Sequence, residues 1–255
     1  MSQARLVACR RGRPVRPPEV RAVDDLATLT RAAADVVALA LTAAVSERGR
    51  GTMALSGGRT PESLYRLLAD EYRDRIPWKS VHLFFGDERC VPPTDSDSNY
   101  RMADAALVSR VPGLEARTHR IEGELPPAEA ADRYETVLRS AFKTGEATFD
   151  VVLLGMGPDG HTASLFPGSP ALDEQTRWAV ATEAPPTMAT RQRVTLTYPV
   201  LNNGRLVLVL CAGADKRDAL RHVLADAGTP GAPYPAARLA ARDRLVWLVD
   251  RAAYP

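Results

Sequence analysis

The stretch FDVVLLGMGPDGHT, residues 149–162, ends an apolar run in glycines and then presents Asp159, His161 and Thr162 within one short turn. Imidazole is the side chain that gains or loses a proton near neutral pH, and a histidine on a glycine-rich strand end can face a substrate. His161 is therefore the candidate acid–base residue. The other histidines differ: His82 falls inside a strand pattern, His222 on a helix, and His119 in a stretch without periodicity. None of them has the spacing of a zinc pair such as H-E-x-x-H, and no metal is expected.

Gly155, Gly157 and Gly160 also spell G-x-G-x-x-G, the fingerprint of a dinucleotide cradle. Glu183 lies 23 residues beyond Gly160, about where a ribose-binding acid belongs. Physical objections outweigh the match. The cradle works through backbone amides, and Pro158 has none. Asp159 would set a negative charge beside a pyrophosphate. The third glycine should open a long helix, whereas Pro167, Gly168 and Pro170 interrupt one within a turn or two. No cofactor is expected.

Other strand ends carry polar groups. LSGGRTPES places Ser56, Gly57 and Gly58 in a flexible turn, with Thr60 as a natural N-cap, Pro61 at the first helical position and Glu62 in the first turn. Free amides and the dipole at such a junction favour an anion. The same residues also fit a well-capped helix and nothing more, and Glu62 would oppose a phosphate if it pointed inward. No Gly-Lys-Ser/Thr follows, so this is not a Walker A loop. In GDER, Asp87 follows the apolar VHLFF, which holds its carboxylate at the sheet edge, while Glu88 and Arg89 can pair with each other or with water. Asp95, Asp97 and Asn99 start like a calcium loop, but Tyr100 stands where that loop needs glycine and Ala106 where it needs glutamate. Asn99 instead begins a helix and can reach the crevice. Lys216, in GADK after a buried strand, and Arg193, opening RVTLT, each read as a phosphate counter-charge or as a solvated side chain.

Such loops need a scaffold. Residues 25–46 place Leu26, Leu29, Val36, Val37, Ala40, Leu41 and Ala44 at helical spacing, with Asp24 or Asp25 as cap and Gly49 past the end. ESLYRLLADEY is a second helix, a third starts near Asn99, a fourth spans about 128–143 after Pro126 and Pro127, and a fifth covers KRDALRHVLADAG. TMALS, VHLFF, DVVLLG, RVTLT, RLVLVLCAG and RLVWLVD read as strands. The alternation predicts an α/β fold, a mostly parallel, Rossmann-like sheet with helices on both faces. Ligands of such sheets sit at the carboxyl ends of the strands, so the loops after TMAL, VHLFF, DVVLL and LVLVL should face one crevice.

The chain has 255 residues, 45% hydrophobic and 25% charged, with a formal net charge of +2. These are ordinary globular values and imply no strong attraction to nucleic acid or membrane. Cys9, Cys90 and Cys211 are far apart, so a reducing compartment is expected. No stretch reaches the roughly 18–20 apolar residues of a membrane span, and no secretory signal is visible, which predicts a cytoplasmic protein. Residues 1–20 carry Arg5, Arg10, Arg11, Arg13 and Arg16 among Pro14, Pro17 and Pro18. They read as a flexible basic arm, without the interleaved aromatics of a nucleic-acid tail, ahead of a single domain over 21–255.

Taken together, LSGGRTP, FFGDERCVPPTDSDSNYRMA, FDVVLLGMGPDGHTASLFPGS, RVTLTYPVLN and GADK resemble, in this order, the 6-phosphogluconolactonases of the glucosamine-6-phosphate isomerase/6-phosphogluconolactonase family. The resemblance runs from about residue 25 to the C-terminus, and GMGPDGHTASLFPG is its most specific part. It implies hydrolysis of 6-phospho-D-glucono-1,5-lactone to 6-phosphogluconate in the oxidative pentose phosphate pathway, without a cofactor. The implied catalytic residues are His161 as base, Asp159 orienting the loop or the imidazole, Asp87, and Arg89 stabilising substrate or developing charge. Ser56, Gly57, Gly58, Thr60, Arg193 and Lys216 would hold the 6-phosphate, with Asn99 at the crevice. A sugar phosphate is the implied partner, and a monomer or weak homo-oligomer the expected state. The related deaminases use a glutamate five residues after the histidine; Phe166 stands there and cannot carry a proton. A non-catalytic sugar-phosphate-binding regulator would need none of Asp87, Asp159 and His161.

Overall fold

The computed structural model describes residues 17–143 and 145–255. The strands in chain order are β1 (Glu19–Val23), β2 (Gly51–Leu55), β3 (Val81–Phe85), β4 (Asp87–Arg89), β5 (Val151–Gly155), β6 (Ala179–Glu183), β7 (Gln192–Leu196), β8 (Leu206–Cys211) and β9 (Arg244–Asp250). The α-helices are α1 (Leu26–Arg48), α2 (Arg59–Asp70), α3 (Asn99–Ala106), α4 (Pro127–Ala141), α5 (Tyr198–Leu201) and α6 (Arg217–Ala225).

Hydrophobic runs without alternation become the centre of the sheet. All residues of β2 and β8 are buried, and so are all of β5 but Gly155. A strand buried at every position is covered on both faces, as a parallel sheet between helices requires. Six strands pair in parallel in the order β1-β9-β8-β5-β2-β3. From β2 the chain steps outward to β3 and then returns through β5 on the other side. The order therefore reverses between β2 and β5, and loops leaving their carboxyl ends diverge around a crevice.

Two features depart from the expected single sheet. RVTLT forms β7 in a separate antiparallel sheet, ordered β4-β7-β6, which lies beyond the end of β3 in the chain. β1 begins at Glu19, inside the stretch expected as an arm, and pairs with β9. The arginine-rich residues 1–16 lie outside the described residues.

α1 follows its sequence signals closely. Asp25 Oδ1 accepts a hydrogen bond from Thr28 N at 2.8 Å, and Gly49 ends the helix at φ 70°. Contrary to expectation, α1 is long and apolar enough by composition to cross a membrane. Leu29, Ala33, Val37 and Leu41 are fully buried in the core, which accounts for that composition here.

At the β3 edge, His82 Nδ1 lies 3.1 Å from His119 Nε2, and the His119 ring stacks on Phe84 at 4.5 Å. Burial, then Arg50, His119 and Arg117, depress His82 from 6.5 to about 4, and burial and Arg50 also lower His119. The unfolded chain thus binds the proton first. The contribution of these rings to stability is complete above about pH 6.5 and lost as pH falls through about 4. The melting temperature of His82→Gln should accordingly fall less than that of the parent between pH 6.5 and 4, as read by circular dichroism.

Candidate active site

The turn after β2 differs in detail from its sequence signature. Gly58, at φ 101°, is the N-cap of α2, and no side chain caps the helix. Thr60 lies inside the first turn, because the left-handed glycine lets the helix begin at Arg59. The amides at this end are left without a side-chain acceptor, which suits an anion better than a capped helix does. Glu62 pairs with Arg66 at 2.6 Å along the helix and leaves the turn to the amides. Ser56 is buried, and the Tyr65 hydroxyl both accepts from Ser56 N and donates to Ser56 O, each at 2.8 Å.

Gly57 is fixed by a close approach. A Cβ there would lie 2.0 Å from Asn99 Oδ1 and 2.8 Å from Asn99 Nδ2. Asn99 Nδ2 donates in turn to Asp87 O at 3.0 Å and to Asp87 Oδ1 at 3.3 Å. Asn99 is held by Glu88, whose role the sequence did not reveal. Instead of pairing with the Arg89 guanidinium, the buried Glu88 carboxylate accepts from Asn99 N (2.7 Å), Tyr100 N (2.8 Å) and Ser98 Oγ (3.0 Å) at the start of α3. It also accepts from Arg89 N at 2.7 Å. Burial raises its pKa against the pull of these backbone bonds. A serine N-cap just before Asn99, three residues ahead of the Arg101 amide it accepts from, was the available sign of this junction.

The small sheet brings two guanidinium groups together. In the β4–β7 ladder, Arg89 is opposite Arg193 and Asp87 is opposite Thr195, so each pair shares a face. The Arg89 guanidinium donates to the Asp97 carbonyl. Arg193 is 6% exposed, its Nε has no partner, and its Nη2 meets only Met188 Sδ, at 3.9 Å. Burial, then Arg89, lowers its pKa, although a guanidinium keeps its charge at any working pH. Among the described residues neither arginine has a carboxylate within ion-pair distance. Asp87, Asp97 and Glu88 act on Arg193 only through space, so an incoming anion would relieve part of the cost of burying it.

After β5 the chain folds back tightly. Gly157 N donates to His161 O at 2.9 Å, and a Cβ on Gly157 would lie 2.1 Å from His161 Nδ1. Gly160 takes φ 74° beneath the Tyr234 ring. His161 Nδ1 lies 2.5 Å from Asp159 Oδ1, which also accepts from His161 N at 3.2 Å. Burial would raise the Asp159 pKa, but the bonds from His161 outweigh it and hold the carboxyl below its ordinary value. An ionised Asp159 accepts a hydrogen bond from Nδ1–H, and this tautomer of the imidazole presents Nε2 as an acceptor. The imidazole packs against Phe166 with ring centres 4.7 Å apart, and its side chain is 20% exposed.

Lys216 ends a short 3-10 turn, Ala214–Lys216, with Nζ 3.0 Å from Asp215 Oδ2. Asp215 is held below its ordinary pKa first by that bond and further by Arg59, so the turns after β8 and β2 face each other electrostatically. Gly155 and Ser56 also approach, a Cβ on Gly155 lying 4.0 Å from Ser56 Oγ. Ser56, Gly57, Asn99, Asp87 and the His161 loop thus form one run of contacts, with Arg193 and Arg89 on the adjoining ladder. A groove of about 670 Å³ is lined by Phe166, Thr182, Glu183 and Gln192 among others, and by none of the site residues expected from the sequence. No cluster of three or more metal-ligating side chains occurs among the described residues.

The Asp159–His161 pair follows β5, at the switch point of the parallel sheet, and the two arginines face it from the small antiparallel ladder, an arrangement that would suit an anionic small molecule. Comparison with known proteins narrows the class. The family model for glucosamine-6-phosphate isomerases/6-phosphogluconolactonase matches residues 24–247, and the chain belongs to that family. A 6-phosphogluconolactonase of Synechocystis sp. is 39% identical over 240 residues, 92% of this chain and 97% of its own. One from Mycobacterium bovis is 39% identical over 84% of this chain and 88% of its own. The crystal structure of 6-phosphogluconolactonase from Leishmania guyanensis superposes with a TM-score of 0.80 at 32% identity, over 92% of this chain and 97% of that one. A monomeric glucosamine-6-phosphate deaminase shares the fold, with a TM-score of 0.77 at 20% identity over 92% of this chain and 98% of its own.

Gly57→Ala tests the contact between the β2 turn and Asn99. The added methyl must displace the Asn99 amide, and overpacking of this kind costs about 1–3 kcal/mol. Urea unfolding should show that loss.

Proposed function

We propose that the protein hydrolyses 6-phospho-D-glucono-1,5-lactone to 6-phospho-D-gluconate, the lactone-opening step of the oxidative pentose phosphate pathway. The observation that carries this reading is the Asp159–His161 pair on a loop joined by contacts to a ladder whose Arg193 is buried with an unpartnered Nε. A lactone is an activated cyclic ester, so its opening needs a base for water and a positive environment for the oxyanion.

In the proposed mechanism Asp159 holds the proton on Nδ1, and His161 Nε2 takes a proton from water as its oxygen attacks the C1 carbonyl. The carbonyl π electrons move to oxygen, and Arg89 faces the charge that develops. Collapse of the tetrahedral intermediate breaks the bond from C1 to the ring oxygen, which receives the proton from Nε2. The acid product and the free imidazole complete the balance. The 6-phosphate lies on the Ser56–Thr60 turn with Arg193, and Lys216 exchanges Asp215 for the phosphate. The sugar phosphate is the proposed binding partner of a cytoplasmic monomer or weak homo-oligomer.

Phe166 against the imidazole disfavours a deaminase or isomerase reaction, since the ring can neither donate nor accept a proton there. The lactone can be generated in place by glucose-6-phosphate dehydrogenase and its disappearance followed. Opening no faster than the spontaneous rate would overturn the proposal. His161→Ala should lose about 100- to 10,000-fold in kcat with the fold intact. Arg193→Ala should act mainly on KM, by on the order of 10- to 100-fold, as loss of a charge-assisted bond predicts.

A further inference from the structure

Ser164 takes no part in the reaction as written, yet it is 1% exposed and engaged on two sides. Its Oγ donates to Asp87 Oδ2 at 2.6 Å, and its N–H donates to Thr195 Oγ1 at 3.2 Å. Two residues separate it from His161. Thr162 is fully buried, with Oγ1 donating to Gly155 O at 2.9 Å. Ala163 is held at φ 48°, the one positive φ at a non-glycine position among the described residues. A left-handed alanine persists only where its surroundings over-determine it. Here Thr162 ties one side to β5, and Ser164 ties the other to β4 and β7.

Asp87 is the fixed end of the second tie. It is 7% exposed and each of its oxygens already has a donor, Ser164 on Oδ2 and Asn99 on Oδ1. We infer that Ser164 and Asp87 form one positioning unit for His161, and that Asp87 serves the reaction through Ser164 rather than by touching substrate. The unit fixes residues 162–164, sets the direction in which the imidazole is presented, and links the base to the Asn99–Gly57 contact at the phosphate turn. This assignment rests on lactone opening with His161 as base.

The test is a double-mutant cycle of Ser164→Ala and Asp87→Asn, with amide hydrogen exchange over residues 160–165 measured in parallel. Each single variant should lose about 10- to 100-fold in kcat, as expected for a displaced catalytic group, with KM within about twofold of the parent. The double variant should be no slower than the slower single one. Exchange at 160–165 should quicken in Ser164→Ala. Additive losses, a loss confined to KM, or a loss in Asp87→Asn far above that in Ser164→Ala would overturn the unit. So would unchanged kcat or unchanged exchange in Ser164→Ala. A kcat loss that only tracks the unfolded fraction, read by circular dichroism at the assay temperature, would also overturn it. Should Ser164→Ala fail to fold, Ser164→Cys keeps the volume with a weaker donor and is judged by the same outcomes. If the parent protein opens no lactone, the functional reading fails by itself, and the exchange result still decides whether Ser164 holds the loop.

Discussion

A buried carboxylate without a cation governs how the site is assembled. Glu88 is 3% exposed, and its charge is met by two backbone amides and a hydroxyl at the start of α3 and by the amide of Arg89. An ionised group buried without such donors would be too costly to retain, so α3 can start in only one place relative to β4. The helix dipole adds to the same preference. Once α3 is docked, Asn99 reaches Asp87 and lies against Gly57. The turn after β2, the small sheet and the loop after β5 then take positions from a single junction.

Other groups in the same region are left unsatisfied or strained. Arg193 is buried beside a like charge, the first turn of α2 has no side-chain cap, and Ala163 sits in a left-handed conformation. Each lowers stability locally, and each is tolerated because the parallel sheet beneath is buried on both faces. The division between the sheets follows from this. The six-stranded sheet supplies rigidity and the switch-point crevice, while the antiparallel β4-β7-β6 sheet brings residues distant in sequence, such as Asp87 and Thr195, side by side.

Local physics made much of this legible in advance. The caps of α1 at Asp25 and Gly49 are short-range effects, and the apolar runs of β2, β5, β8 and β9 can be buried in few ways. β1 and β6 carry little strand signal because they are short, with charged and exposed residues, and are stabilised by their neighbours more than by their own composition. Thr60 fits a cap by residue type, yet Gly58 takes that position because it adopts a backbone that threonine does not. Glu88 and Arg89, adjacent in sequence, turned out to serve different elements, since successive residues of a strand point to opposite faces.

By itself the sequence determined the strand and helix framework, the tight turn that presents Asp159 and His161, and membership of a family defined by those motifs. These depend on residues within a few positions of one another, where backbone sterics and hydrophobic period suffice. The tertiary structure alone decided that Arg89 stands opposite Arg193, that Glu88 anchors α3, and that Ser164 reaches Asp87. Such pairings depend on ladder register and on the geometry of distant loops, and no local preference encodes which partner a buried polar group will meet.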